Sequence, residues 1–247
     1  MKKTSVVVTS FVFVYLMFVV ALLPARFVMQ WVNLPHNVKL GQIEGTIWHS
    51  QLDAIKVDNW LVEKLEAKLS VLSLLTLDPQ IDVTFGDALL AGPEGRASMS
   101  GFLSELKLTD VQVNLAANQI ASQLPLPVPV TAHSTLDIVV EEFVAGKEVC
   151  QQLDGDIRWS KAAVTALEQK VSLGALHAKL ACKQGNVELT LDEANDLGMS
   201  FTAFIGGGGR MSGDGYLTPK AQMPAEIRQL IPFLGKADNQ GRYRLRF

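Results

Sequence analysis

Val128-Pro129-Val130-Thr131-Ala132-His133-Ser134-Thr135-Leu136-Asp137-Ile138-Val139-Val140 alternates along its length. Val128, Val130, Ala132, Ser134, Leu136, Ile138 and Val140 share one face, while Thr131, His133, Thr135, Asp137 and, further on, Glu141 hold the other. A period of two is the mark of a strand with one buried face, because successive side chains of a pleated chain point to opposite sides. The same alternation runs through Ile81-Val83-Phe85, Val187-Leu189-Leu191 and Leu197-Met199-Phe201-Ala203-Ile205. Asp192-Glu193-Ala194-Asn195-Asp196 lies between the last two and predicts a turn joining an antiparallel pair. Leu106 and Leu108 sit on one phase and Val111, Val113 and Leu115 on the other, so a bulge or tight bend is expected at Thr109-Asp110.

Three stretches break towards helix. Ser70 can cap a short turn over Val71–Leu75. Ala116–Leu124 runs to Pro125, with Pro127 and Pro129 forcing an extended exit. Pro224–Ile231 begins on a helix-starting proline and ends at Pro232.

The N-terminus reads differently. Val6 to Leu23 carries no charge, and at 1.5 Å per residue it covers about 27 Å, close to the ~30 Å hydrocarbon core of a bilayer. Lys2 and Lys3 precede it, so the positive-inside rule puts a short tail, 1–5, in the cytoplasm and the body across the membrane. Leu23 stands where signal-peptide cleavage needs a small residue, and Phe27, Val28, Met29, Trp31 and Val32 prolong the apolar character. The expectation is an uncleaved transmembrane helix over 6–26, a linker over 27–40 and a periplasmic β-domain over 41–247. The expected fold is mainly β: that anchor followed by an elongated, curved antiparallel sheet with two or three short helices.

Gly95-Arg96-Ala97-Ser98-Met99-Ser100-Gly101 is echoed by Gly209-Arg210-Met211-Ser212-Gly213-Asp214-Gly215, and Ile43–Trp48 by Leu153–Trp159. The order of these pieces suggests an internal duplication with halves 41–130 and 131–247.

Composition narrows the function. The net charge is −3, and Lys2, Lys3 and Arg26 leave the rest of the chain more acidic still, which gives no electrostatic footprint for nucleic acid. His36, His49, His133 and His177 are scattered without metal-ligand spacing, and no G-x-S-x-G elbow exists. Gly206-Gly207-Gly208-Gly209 lacks the Lys-Ser/Thr of a phosphate loop and reads as a hairpin turn or sheet kink. The sequence therefore predicts no enzyme, cofactor or metal. Arg242-Tyr243-Arg244-Leu245-Arg246-Phe247 alternates charge with apolar residues, as a terminal strand with one buried face would. Cys150 and Cys182 both follow the predicted anchor, and an even count in an oxidising compartment favours a disulfide.

These residues resemble the general secretion pathway protein N family, also called type II secretion system protein N. The features that match are the N-terminal apolar segment, Leu34-Pro35, Val38-Lys39-Leu40 and Ile43–Trp48. Ser73-Leu74-Leu75, Gly95-Arg96, Leu124-Pro125, Gly209–Gly213, Pro232–Gly235 and Gly241-Arg242-Tyr243 follow in order. Ser50 departs from the pattern, which tends to have glycine two places after the tryptophan. The family is similar at a distance to the AsmA-like bridge proteins, whose long curved sheets have an apolar concave face. The resemblance implies an accessory or structural inner-membrane component of a type II secretion system, partnered by other components of that machine in the export of folded proteins across the outer membrane. Open strand edges would then bind partners, with Trp48, Trp60 and Trp159 as structural or contact residues. An alternative is a lipid- or hydrophobe-binding module that uses the apolar face of the sheet.

Overall fold

The computed structural model describes residues 2–31, 36–58, 60–87, 92–102, 105–123, 129–166, 168–220, 223, 227–228, 231 and 235–246. The chain forms two compact units, Met1–Gly92 and Pro93–Phe247. Both are mainly antiparallel β with few helices.

The first unit opens with helix α1, Lys2–Ala21, and a short α2, Ala25–Met29. Strands β1 (Val38–Leu40), β2 (Ile43–Thr46), β3 (His49–Val57), β4 (Trp60–Leu69) and β5 (Ile81–Phe85) follow. β3 is central to β1, β2 and β4, and β5 pairs with β4.

The transmembrane expectation is corrected here: among the described residues no helix is long and apolar enough to cross a membrane. The physical reason lies where α1 ends. Leu22 N still reaches Phe18 O at 3.0 Å, but Leu23 N turns to Val20 O at 3.4 Å, and Pro24 has no N–H to offer. The chain then docks on the β2–β3 hairpin: Pro24 bridges Thr46, Ile47 N donates to Leu23 O at 3.0 Å, and Trp48 Nε1 donates to Val20 O at 3.1 Å. The apolar part of α1, Val6–Ala21, rises only about 24 Å. Leu22 to Arg26, counted towards the span by the sequence, turn into α2.

The predicted turn after Ser70 is present one residue later, as a 3-10 helix over Leu72–Thr76 without a side-chain cap. Ser73 performs the sealing instead: its Oγ donates to Ser70 O at 2.6 Å and accepts from Gln80 N at 2.8 Å.

The second unit contains β6 (Glu94–Ser100), β7 (Lys107–Ala116), α3 (Ala117–Ala121), β8 (Val130–His133), β9 (Thr135–Ala145), β10 (Cys150–Ala166), β11 (Gln169–Lys183), β12 (Asn186–Leu191), β13 (Met199–Ile205), β14 (Met211–Leu217) and β15 (Tyr243–Arg246). From β6 to β15 each strand lies beside its sequence neighbour, except that β8 leaves the row and pairs with the far end of β10. The bend expected at Thr109-Asp110 is a bulge: Asp110 has φ 51°, and the β6–β7 ladder shifts register between Arg96 and Ser98. β12 and β13 pair antiparallel, Val187 against Ile205, and the glycine run makes the β13–β14 turn, with φ 73° at Gly208 and 74° at Gly209.

The opening stretch is not one strand. It breaks at Ser134, φ 72°, whose Oγ donates to Lys161 O at 2.9 Å opposite a second kink at Lys161, φ 52°. Ala162 beside that kink is 0% exposed, packed where β8 and β9 meet β10. Helix α3 is shorter than the predicted Ala116–Leu124, whose last residue lies outside the described residues. The helix expected over 224–231 also falls largely outside them.

Candidate functional site

The ladders of the second unit bring apolar residues into line across the strands. One rung runs Val113, Ile138, Ile157, Ala178, Leu191, Phe201, Gly215, Leu245. The next runs Val111, Val140, Gly155, Leu180, Leu189, Ala203, Gly213. Partners in register share a face, so these rungs make one broad apolar surface. The alternate rung, Gln112, Val139, Asp156, Lys179, Thr190, Thr202, Asp214, Arg246, makes a largely polar one.

Cover on the apolar face is partial. At one end Leu197, Leu217, Met223 and Ile231 form a buried cluster flanked by Leu176, Met199, Tyr243 and Leu245. Elsewhere Val113, Ile138, Ile157 and Leu180 are only half-buried. Among the described residues no large side chain is fully enclosed, whereas a face packed by a second layer would enclose several.

Cys150 and Cys182 form a disulfide at the opposite end of this face. The β10–β11 ladder stops at Asp154–Ala181, so the bond holds a stretch of β10 lying beyond the last paired rung. Val149 N and Cys150 N both donate to Gly185 O, at 3.1 and 3.2 Å, and reinforce the same junction.

The three predicted tryptophans are all half-buried, each with partners of its own. Trp48 holds the end of α1 through Val20. Trp60 starts β4 opposite Val57, and Trp159 donates from Nε1 to His133 O at 2.9 Å across the β8–β9 break. The histidines too have different partners. His49 contacts Glu66, His133 contacts Thr165 Oγ1 at 2.7 Å, and His177 contacts Asp156 at 2.6 Å. Among the described residues no group of three His, Cys, Asp or Glu could hold a metal ion.

In the first unit a cleft of about 440 Å³ opens where β4 kinks at Lys64, φ 50°, lined by Gln51, Asp53, Lys64, Glu66, Thr84 and Phe85 among others. Lys64 is ion-paired to Asp87, and hydrogen bonds from Lys68 and His49 hold the Glu66 carboxyl below its usual range. Lys64 and Glu66 are thus already paired, with Asp87 and with Lys68 and His49.

Sequence reasoning missed two features. Asn195, 5% exposed, ties the β12–β13 turn: Nδ2 donates to Asp192 O and, at 2.7 Å, to Met199 O, while Oδ1 accepts from Met199 N at 3.1 Å. An asparagine inside a predicted turn was the available signal. The second is the ion pair on the expected terminal strand β15, where Arg244 donates to Asp214 at 2.8 Å and its guanidinium pKa is raised by that bond.

Together these features define a class, an antiparallel β-protein with one incompletely covered apolar face and a disulfide beyond its central ladder. The chain belongs to the Type II secretion system (T2SS), protein N family, whose profile matches residues 36–246. It is 28% identical to Type II secretion system protein N of Aeromonas hydrophila, over 100% of this chain and 98% of that one. It is 27% identical to the Vibrio cholerae protein of the same name, over 91% and 90%, and 26% identical to that of Pectobacterium carotovorum, over 100% and 98%. No solved structure matches. The protein is a component of a type II secretion system.

Proposed function

We propose that the chain is a non-enzymatic accessory of the secretion machine, acting at the inner membrane on its periplasmic side, and that it assembles with other components through its strand edges. The observation that carries this reading is the row of strands ending in β15, which among the described residues pairs with β14 alone. Unpaired backbone N–H and C=O groups on such an edge are met by an added strand. The disulfide supports an oxidising compartment. Trp48 and Trp159 serve as structural residues that hold α1 and the β8–β9 break, and Trp60 as a contact residue. The duplicated halves 41–130 and 131–247 belong to the same reading, since β6 and β14 carry or adjoin the two Gly-Arg motifs.

The test is crosslinking in cells that make the whole machine, from cysteines introduced singly at Lys39 on β1 and Arg246 on β15. Adducts with another secretion component are expected. Adducts with lipid alone would overturn the assembly reading.

A second reading is favoured by the half-buried apolar rungs: the face takes acyl chains. Exposed apolar area beyond a few hundred Å² commonly marks a binding surface. Lipid co-purifying with the protein, and lost on Ile157→Asp, is the expected sign. Protein that purifies lipid-free and takes up no fatty acid would remove this reading.

A further inference from the structure

Resting on the assembly reading, we infer that β15 receives an extended partner segment that alternates acidic and apolar residues. Four observations specify it. Tyr243–Arg246 contains no glycine or proline and has no residue with positive φ, so the side left unpaired among the described residues keeps regular ladder geometry. Natural edge strands are commonly blunted by shortness, charge, bulges or proline, and β15, four residues long, is free of the last two. β1 in the first unit, only three residues long with Lys39 at its centre, is blunted in this way.

Next, the two faces of β15 differ in chemistry. Tyr243 and Leu245 are half-buried and flank the Leu197–Leu217 cluster, so a neighbouring strand extends that apolar layer with its own apolar side chains. Arg244 and Arg246 are exposed on the other face. Arg244 is paired with Asp214, whereas Arg246, in backbone register with the same aspartate, makes no ion pair with it. Among the described residues the edge therefore carries one unpaired positive charge, on Arg246, beside a paired one on Arg244. Acidic residues on an added strand would meet it, and opposite charges in cross-strand register are favourable.

The backbone decides what kind of partner this is. A row of N–H and C=O groups asks for a reciprocal row, which an acyl chain cannot supply.

The experiment uses the full chain and two heptapeptides, one alternating glutamate with valine and one alternating lysine with valine. Binding is read by fluorescence anisotropy, and the site by hydrogen exchange at residues 243–246. The glutamate peptide is expected to bind and to slow exchange there, and the lysine peptide to bind about tenfold more weakly or less. Arg246→Glu, an exposed change on the polar face, is expected to reverse that order. Equal binding of the two peptides, or unchanged exchange at 243–246, overturns the proposal. If crosslinks to secretion components persist while exchange at β15 is unaffected, this edge is refuted and the assembly reading stands. Absence of those crosslinks while the glutamate peptide still binds at β15 refutes the assembly reading alone.

Discussion

Replacing both cysteines, Cys150→Ala with Cys182→Ala, removes a crosslink between residues 32 apart in sequence. The chain-entropy argument gives roughly 3–4 kcal/mol for a loop of that size, lost from native stability because the unfolded chain regains its freedom. Two features keep the native state from absorbing the loss. Cys150 is 3% exposed, so truncation leaves a small void. The bond also acts beyond the end of the β10–β11 ladder, where β10 keeps its pairing with β9 but is tied towards the β11–β12 turn by the two hydrogen bonds to Gly185 O. Alanine is preferred to serine because a hydroxyl buried at position 150 would add its own desolvation cost. With a urea dependence of about 2 kcal/mol per molar, the unfolding midpoint should fall by about 1.5–2 M. The assay is urea unfolding followed by circular dichroism, with hydrogen exchange resolving residues 150–183 from the first unit. Reducing the wild type should reproduce the shift. A midpoint change below about 0.5 M, or equal loss of protection in β3 and β4, would refute the reasoning.

Two further outcomes are expected. Asn195→Ala leaves Met199 N and two carbonyls of the β12–β13 turn without their partner in a buried site, and should cost about 2–3 kcal/mol by urea unfolding, with exchange accelerated first at Met199. Glu66 has its folded pKa held below the ordinary value of 4.5 by Lys68 and His49, so its contribution is present above that value and lost as pH falls through the lowered one. Glu66→Gln should therefore differ from wild type at neutral pH and converge with it in acid, as pH-dependent unfolding would show.

Much of the sheet was legible because polarity alternates wherever one face is buried. Val187–Leu191 and the run to Ile205 were readable for that reason, as was the bulge at Asp110, where the phase of alternation inverts. Ser134 was not. A serine suits either face, so the alternation passes through the break unmarked, and only the left-handed backbone and the pairing of β8 reveal it. The N-terminal helix failed as a reading for another reason. Counting uncharged residues measures an apolar run, but says nothing of where the helix stops, and here Pro24 and the docking of Trp48 end it early. The basic edge was half legible. Arg242–Arg246 announced a strand, whereas its place at the end of a row depends on pairings that no local pattern encodes.

The near-sequential strand order has a consequence for how the molecule is made. A chain emerging N-terminus first gives nearly every new strand of the second unit a finished neighbour to lie against, so little need wait for distant segments. β8 is the exception, held back until β10 arrives. Cys182 closes β11, so oxidation can fasten the middle of the row while β12 to β15 are still to come. β15, which among the described residues pairs with β14 alone, joins after that fastening.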